Sequence, residues 1–449
     1  MTVFDLLVRH AALVTESGVA AGDLAVADGR IVAIGPDLEG AARETIDAAG
    51  LHLFPGVIDA HVHFNEPGRT DWEGWRTGSA ALAAGGGTTA GEMPLNANPP
   101  TLDGPSFDAK RAAAEAASVT DFALWGGLVP GPVDRLDELA ARGVLGFKAF
   151  MSQSGTADFP AADDLTLLNG MARAARLGRI VAVHAESDAL TAGLAARAIA
   201  DGRTGMRDYL TTRPAVAERE AIGRAILFAE ETGCALHIVH VSTGGGVVLV
   251  AEARARGVDV TCETCPHYLV LTDEDAERLG AVAKCAPPLR PAVERDALWK
   301  HLRSGTIDLV ASDHSPAPPE WKTGDDFFRI WGGISGCQSL LPLLLSAGHH
   351  DRGLALPDIA RLTAGAVARR FALPNKGALA VGADADLALV DLGAAHVLVA
   401  DDLLYRHRHS PFVGMTLRGR VRRTIRRGVT IWRDGRIVAE GGGRLVRPM

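Results

Sequence analysis

Between residues 57 and 312 the chain alternates eight times between a short apolar run and a longer alanine-rich segment. The runs cover 57–63, 88–93, 122–128, 145–150, 180–184, 236–241, 258–263 and 307–312. Apolar runs of this length with no polar face read as strands buried on both sides, the habit of a parallel sheet. The connecting stretches, such as 107–117 and 218–230, suit amphipathic helices. Eight strand–helix units predict an α/β fold of the (β/α)8 TIM-barrel type. A doubly wound open sheet is the alternative, but no Gly-x-Gly-x-x-Gly follows the first strand.

The two flanks differ from the centre and resemble each other. Strand-like runs at 6–9, 24–26 and 31–34 are matched by others at 385–390, 423–425 and 429–438. Asp28-Gly29-Arg30-Ile31-Val32 returns as Asp434-Gly435-Arg436-Ile437-Val438, a hairpin signal at both ends. The expectation is one small composite β-sandwich, built from 1–52 and 373–449, beside a barrel at 53–372. A net charge of −8 leaves no basic stripe for nucleic acid or an anionic membrane. No apolar run is long enough to span a bilayer, and Met1-Thr2-Val3-Phe4-Asp5 lacks the basic and apolar regions of a leader. Five scattered cysteines make no disulfide framework. A reducing, cytoplasmic setting is the resulting expectation.

In such a barrel the chemistry sits at the C-terminal strand ends. The first strand ends in His61 and His63, two imidazoles on one face at i and i+2. The fourth carries Lys148, the fifth ends in His184, the sixth carries His240, and the eighth ends in Asp313. A single histidine closing a strand is ordinarily a hydrogen-bonded structural residue. Five strands ending in metal-type ligands at one mouth is a different matter. A free ammonium inside a barrel is costly unless paired. Deprotonated, Lys148 can react with carbon dioxide to give a carbamate, whose two oxygens can bridge two cations. The alternation rule places His237 and His314 on the other face, outside the barrel. Cys262-Glu263-Thr264-Cys265 reads as core packing, because no second cysteine pair accompanies it. His52, His301, His349, His350, His396, His407 and His409 read as loop or surface residues.

This ligand set resembles the amidohydrolase superfamily, in particular its cyclic-amidase branch of dihydroorotases, hydantoinases and allantoinases. The resemblance spans essentially the whole chain, including Gly382-Ala383-Asp384-Ala385-Asp386. Several stretches are similar to the allantoinases: Asn65-Glu66-Pro67-Gly68-Arg69, Glu92-Met93-Pro94-Leu95-Asn96, Asp158-Phe159-Pro160 and Trp331-Gly332-Gly333-Ile334. Cys265-Pro266-His267-Tyr268 and Asp313-His314-Ser315-Pro316 continue the match.

The resemblance implies that His61, His63 and Asp313 hold one divalent metal and that His184 and His240 hold a second. Lys148, carboxylated by carbon dioxide to N6-carboxylysine, would bridge them. Zinc suits the histidine-rich set, and manganese or cobalt also suits the oxygen donors. It further implies that a metal-bridging hydroxide opens a cyclic amide, with Asp313 as general base and then acid. Substrate contacts would come from Asn96, Ser315 and backbone at Ala286, Trp331 and Gly332; the ordinary role of Ser315 would be a helix cap. Relatives of this kind are homo-oligomers, commonly tetramers.

Departures from the sister families bear on the substrate. Dihydroorotases usually place a carboxylate-holding arginine where this chain has Asn65. Hydantoinases and dihydropyrimidinases usually carry a tyrosine in the stretch that reads Met151-Ser152-Gln153-Ser154-Gly155 here. Both point to allantoin, opened to allantoate. A hydantoinase, a dihydropyrimidinase or a dihydroorotase-like amidase is the alternative within the branch, and a metal-free scaffold is the alternative outside enzymes.

Overall fold

A computed structural model describes residues 3–449; Met1 and Thr2, part of the stretch read for a leader, lie outside the described residues. The eight central strands are Val57–Val62, Gly87–Glu92, Asp121–Leu124 with Gly126–Gly127, Gly146–Phe150, Ile180–His184, Leu236–Ile238, Val260–Thr264 and Leu309–Val310. All pair in parallel, each with the next. The third is split at Trp125, so its first half pairs with the second strand and its last two residues with the fourth. The ring closes between the eighth and first strands, where Val62 bridges His314 and the Ser312 amide donates to Asp59 at 3.0 Å. The fold is therefore the expected (β/α)8 barrel.

Alternation sorts the side chains into two cores. Ile58, Ala60, Ala123, Trp125, Ile180, Ala182, Leu309 and Ala311 fill the barrel, with Phe371, Leu373 and Val446 in the same cluster. Phe147, Val181, Val183, Leu236 and Ile238 face outward into a second cluster with the helices. The helix Ala215–Thr232 shows the matching stripe: Ala217, Ala221, Ile222, Ala225, Ile226 and Ala229 are its buried face.

Strands from both ends of the chain form the sandwich. His52–Pro55 is the seam, pairing in parallel with Val3–Thr15 and antiparallel with Leu387–Val397. Its separate core includes Leu6, Val8, Leu24, Val26, Leu387, Leu389 and Ile425. The repeated Asp-Gly turns are alike in detail. Asp28 and Gly29 have φ of 51° and 74°, and Asp434 and Gly435 have 43° and 90°, as a two-residue hairpin turn with left-handed residues requires. His52 and His396 lie within strands and His301 within a helix, not in loops.

Buried Lys376 is one of the cations that pin sandwich and barrel together, with Arg427 3.1 Å from the same Asp121. Lys376 Nζ donates to Asp121 and Asp386, each at 2.7 Å, and lies 3.0 Å from Asp384. Burial opposes its charge, but the three carboxylates hold it above the usual lysine range. Replacing one member of a buried ionic network by an apolar group leaves the others uncompensated. Lys376→Met is expected to destabilise the protein by about 3–5 kcal/mol, read as a lower urea midpoint. A midpoint equal to wild type would remove this network from the account of stability.

Candidate metal centre

Each strand delivers its polar residue to the mouth in its own way. In the fourth and fifth, plain alternation suffices: Lys148 and His184 follow the outward-facing Phe147 and Val183. In the first, the pairing register slips between Asp59 and Val62, so the inward set changes from Ile58 and Ala60 to His61 and His63. The sixth and eighth stop short, at Ile238 and Val310. His240 and Asp313 reach the mouth from the turns that follow, with φ of 40° and 47°. Non-glycine residues in that region are strained, a condition concentrated at functional sites.

The side chains expected at the mouth are brought together there. His61 Nε2 and His63 Nε2 lie 3.2 and 3.4 Å from Asp313 Oδ1. His184 Nδ1 faces His240 Nε2 at 3.1 Å, and the rings of His61 and His240 are 5.4 Å apart. The Lys148 charge helps depress the basicity of His63, His184 and His240, so its ammonium is near both groups. Lys148 is fully buried, and its Nζ has no hydrogen-bond partner among the described residues. Burial pushes it down to about 8, against the pull of Glu263 and Asp313.

Two carboxylates behind the histidines set their tautomers. His61 Nδ1 lies 2.5 Å from Glu263, whose other oxygen is 3.0 Å from His237 Nε2. His184 Nε2 lies 2.9 Å from Glu186, which Arg213 also grips. An ionised carboxylate only accepts, so those ring nitrogens carry the protons. His61 Nε2 and His184 Nδ1 then face the mouth. Burial opposes charge on Glu186 and Asp313, yet Arg213 and His184 hold the first down to about 2, and His61 and His63 do the same for the second. Burial pushes His63 down to about 4, keeping it neutral and able to donate a lone pair.

These residues fit a divalent cation. His61, His63 and Asp313 place their donor atoms within 4.8 Å of one another, and His184 and His240 form a second pair. An orphaned buried amine near both groups is the feature a carbamate bridge would explain.

The outer groups also converge. Asn96, Ala286, Ser315, Trp331 and Gly332 line the same cavity, of about 50 Å³, as His61, His63, His184, His240 and Asp313. Asn96 has φ of 68°, and its Oδ1 lacks a partner among the described residues. Ser315 caps no helix. Gln153 and Ser154 add polar atoms where a hydantoinase tyrosine would be expected. Asn65 is fully buried and its Nδ2 donates to the Pro316 carbonyl at 3.4 Å.

The expected position of His237 is overturned. His237 is not outside the barrel: its Nε2 shares Glu263 with His61, and its ring lies 5.4 Å from Phe371 in the barrel core. The strand ends at Ile238, so strict alternation does not extend to His240, and both histidines turn inward. His314 does lie outside, against Phe64 and Tyr405. Cys262 and Cys265 are buried, unpaired core residues. Strand-end reasoning missed Glu186, Arg213 and Glu263, which stand behind these histidines; Glu263, closing the run 258–263, and Glu186, two residues after His184, were the available signals.

The family model described as "Amidohydrolase family" matches residues 52–437. The chain belongs to the amidohydrolase family. It is 63% identical over 448 residues to an allantoinase of Rubrobacter xylanophilus, covering 100% of this chain and 98% of that one. An allantoinase of Solibacter usitatus is 58% identical, over 99% of this chain and 97% of its own. Among solved structures, the L-hydantoinase (dihydropyrimidinase) from Arthrobacter aurescens superposes with a TM-score of 0.95 at 36% identity, covering 99% of this chain and 100% of that one. The dihydropyrimidinase from Brevibacillus agri gives 0.92 at 32%, with 98% of each chain covered.

Carboxylates that orient metal-ligating histidines typically contribute about 10–100-fold in affinity. Glu263→Gln is expected to weaken zinc binding within that range, measured by competition with a chromophoric chelator. Wild-type affinity would show that Glu263 does not orient His61.

Proposed function

We propose that the protein opens the hydantoin ring of allantoin to give allantoate. It is a hydrolase of cyclic amide bonds. The observation that carries the substrate is the full-length similarity to proteins named allantoinase, up to 63% identical, against 36% for the L-hydantoinase. The polar wall at Gln153 and Ser154 suits a ureido arm, which offers donors and acceptors together.

In this reading His61, His63 and Asp313 would hold one divalent ion and His184 and His240 a second, with a carboxylated Lys148 as a ligand they would share. Zinc fits the nitrogen-rich set, with manganese or cobalt as oxygen-tolerant substitutes. Two such ions supply Lewis-acid activation of water and of the scissile carbonyl. The protein residues do the rest. Asp313 takes the proton of the attacking water at a carboxylate oxygen and delivers it to the departing ring nitrogen. Asn96 and Ser315 orient the urea groups, and backbone at Ala286 and Gly332 holds the ring. All five cysteines are buried without a disulfide, and no helix among the described residues is long and apolar enough to cross a membrane. Both suit the cytoplasm.

A side-by-side assay of allantoin, dihydroorotate, dihydrouracil and unsubstituted hydantoin tests the substrate. Allantoin should be turned over fastest; faster hydrolysis of any other compound overturns the assignment. Lys148→Ala should reduce the metal content and bring activity below about 1% of wild type, with partial recovery in a short carboxylic acid such as propionate. Near-wild-type activity without the acid would remove the carbamate.

A further inference from the structure

Two buried lysines outside the metal centre have no part in the mechanism above. Lys284 and Lys322 are 5% and 8% exposed, and their hydrogen bonds all go to backbone carbonyls. Lys284 Nζ donates to Ile330 O. Lys322 Nζ donates to Trp331 O at 3.0 Å, Gly333 O at 2.5 Å and Ala281 O at 3.3 Å. The Gly333 amide donates to Lys284 O at 2.9 Å, and the Trp331 amide to Trp321 O at 3.0 Å. Three segments are thereby tied at one point: 281–286, 319–322 and 330–333. Two of them provide the Ala286 and Trp331-Gly332 wall of the substrate cavity.

Burying two like charges side by side is unfavourable, and here each is pushed down to about 7, Lys284 by burial and Arg213, Lys322 by burial and Lys284. Tyr209 gives partial relief, its ring centre lying 4.5 Å from Lys284 Nζ. A lysine on a surface would avoid this expense, so the fastening must matter at the place it fastens.

Peptide geometry says what is fastened. In a trans peptide the carbonyl and the following N–H point in opposite directions. Holding Trp331 O against Lys322 therefore turns the Gly332 N–H the other way. Gly332 lines the cavity, and its amide has no hydrogen-bond acceptor among the described residues. Its neighbour is constrained by packing rather than by substrate, because a Cβ at Gly333 would sit 2.3 Å from Ser315 O.

We propose that Lys322, supported by Lys284, is a positioning residue that aims the Gly332 amide into the cavity as a donor to the substrate ring. This rests on the proposed allantoin reading for its kinetic consequence, but not for the fastening itself. Lys322→Met keeps the length of the side chain and removes the ammonium. One hydrogen bond of ordinary strength is worth about three- to tenfold in binding. The variant should raise KM for allantoin by that factor, with kcat within about twofold and metal content unchanged. Lys322→Arg should restore most of the KM. In the ligand-free protein, amide exchange of the peptide 328–336 should accelerate in Lys322→Met and return towards wild type in Lys322→Arg. Should Lys322→Met not fold, Lys284→Met carries the same two measurements. Unchanged KM and unchanged exchange overturn the proposal, as does a fall in kcat that tracks metal loss. If the wild-type protein does not turn over allantoin, the substrate reading fails, and the exchange measurement alone still decides the fastening.

Discussion

The centre of this barrel concentrates ionisable groups where water is nearly excluded, and its organisation follows from balancing them. Glu263 and Glu186 are fully buried, and each would be untenable alone. Each grips a histidine, and in doing so fixes which nitrogen of that ring is turned towards the mouth. Arg213 and His237 complete the shell from the other side. Those nitrogens and Asp313 then gather around a space whose remaining resident is the unpaired Lys148. The histidines are thus made electron-pair donors by groups one layer behind them.

That layering explains which parts of the site were legible in the sequence. A strand end has a local mark, an apolar run closing in a polar residue, so His61, His63, Lys148 and His184 could be placed from the pattern alone. Glu263 closes the run 258–263 in the same way, but that mark does not name its partner. It reaches His61 across 202 residues, a relation set by the order of strands around the ring. His237 shows the limit from the opposite direction. The period of two held only as far as Ile238, and the left-handed turn at His240 put residues three apart on one side. The same kind of turn brings Asp313 into place, where the sequence suggested a strand running straight in.

The fold was legible for a more general reason. Strands covered on both faces need uninterrupted apolar runs, and helices covering them need a stripe, so both periods are written into the sequence. The flanking sandwich was legible from its repeated Asp-Gly turns. What holds the flank to the barrel was not, because Lys376 lies close in sequence to Asp384 and Asp386 but 255 residues from Asp121, the barrel member of the cluster. Lys284 and Lys322 were unreadable for the same reason: their partners are carbonyls, which every residue has.

The joint between the eighth strand and the first has a consequence for how the protein comes into being. His61 and His63 are made early in translation and Asp313 some 250 residues later, yet the three sit together only because Val62 bridges His314 and Ser312 bonds to Asp59. A chain still short of residue 313 has the second pair, His184 and His240, but no first cluster. The three-residue cluster is consequently a gauge of ring closure, absent from every open form of the chain and present only when its two distant edges have met.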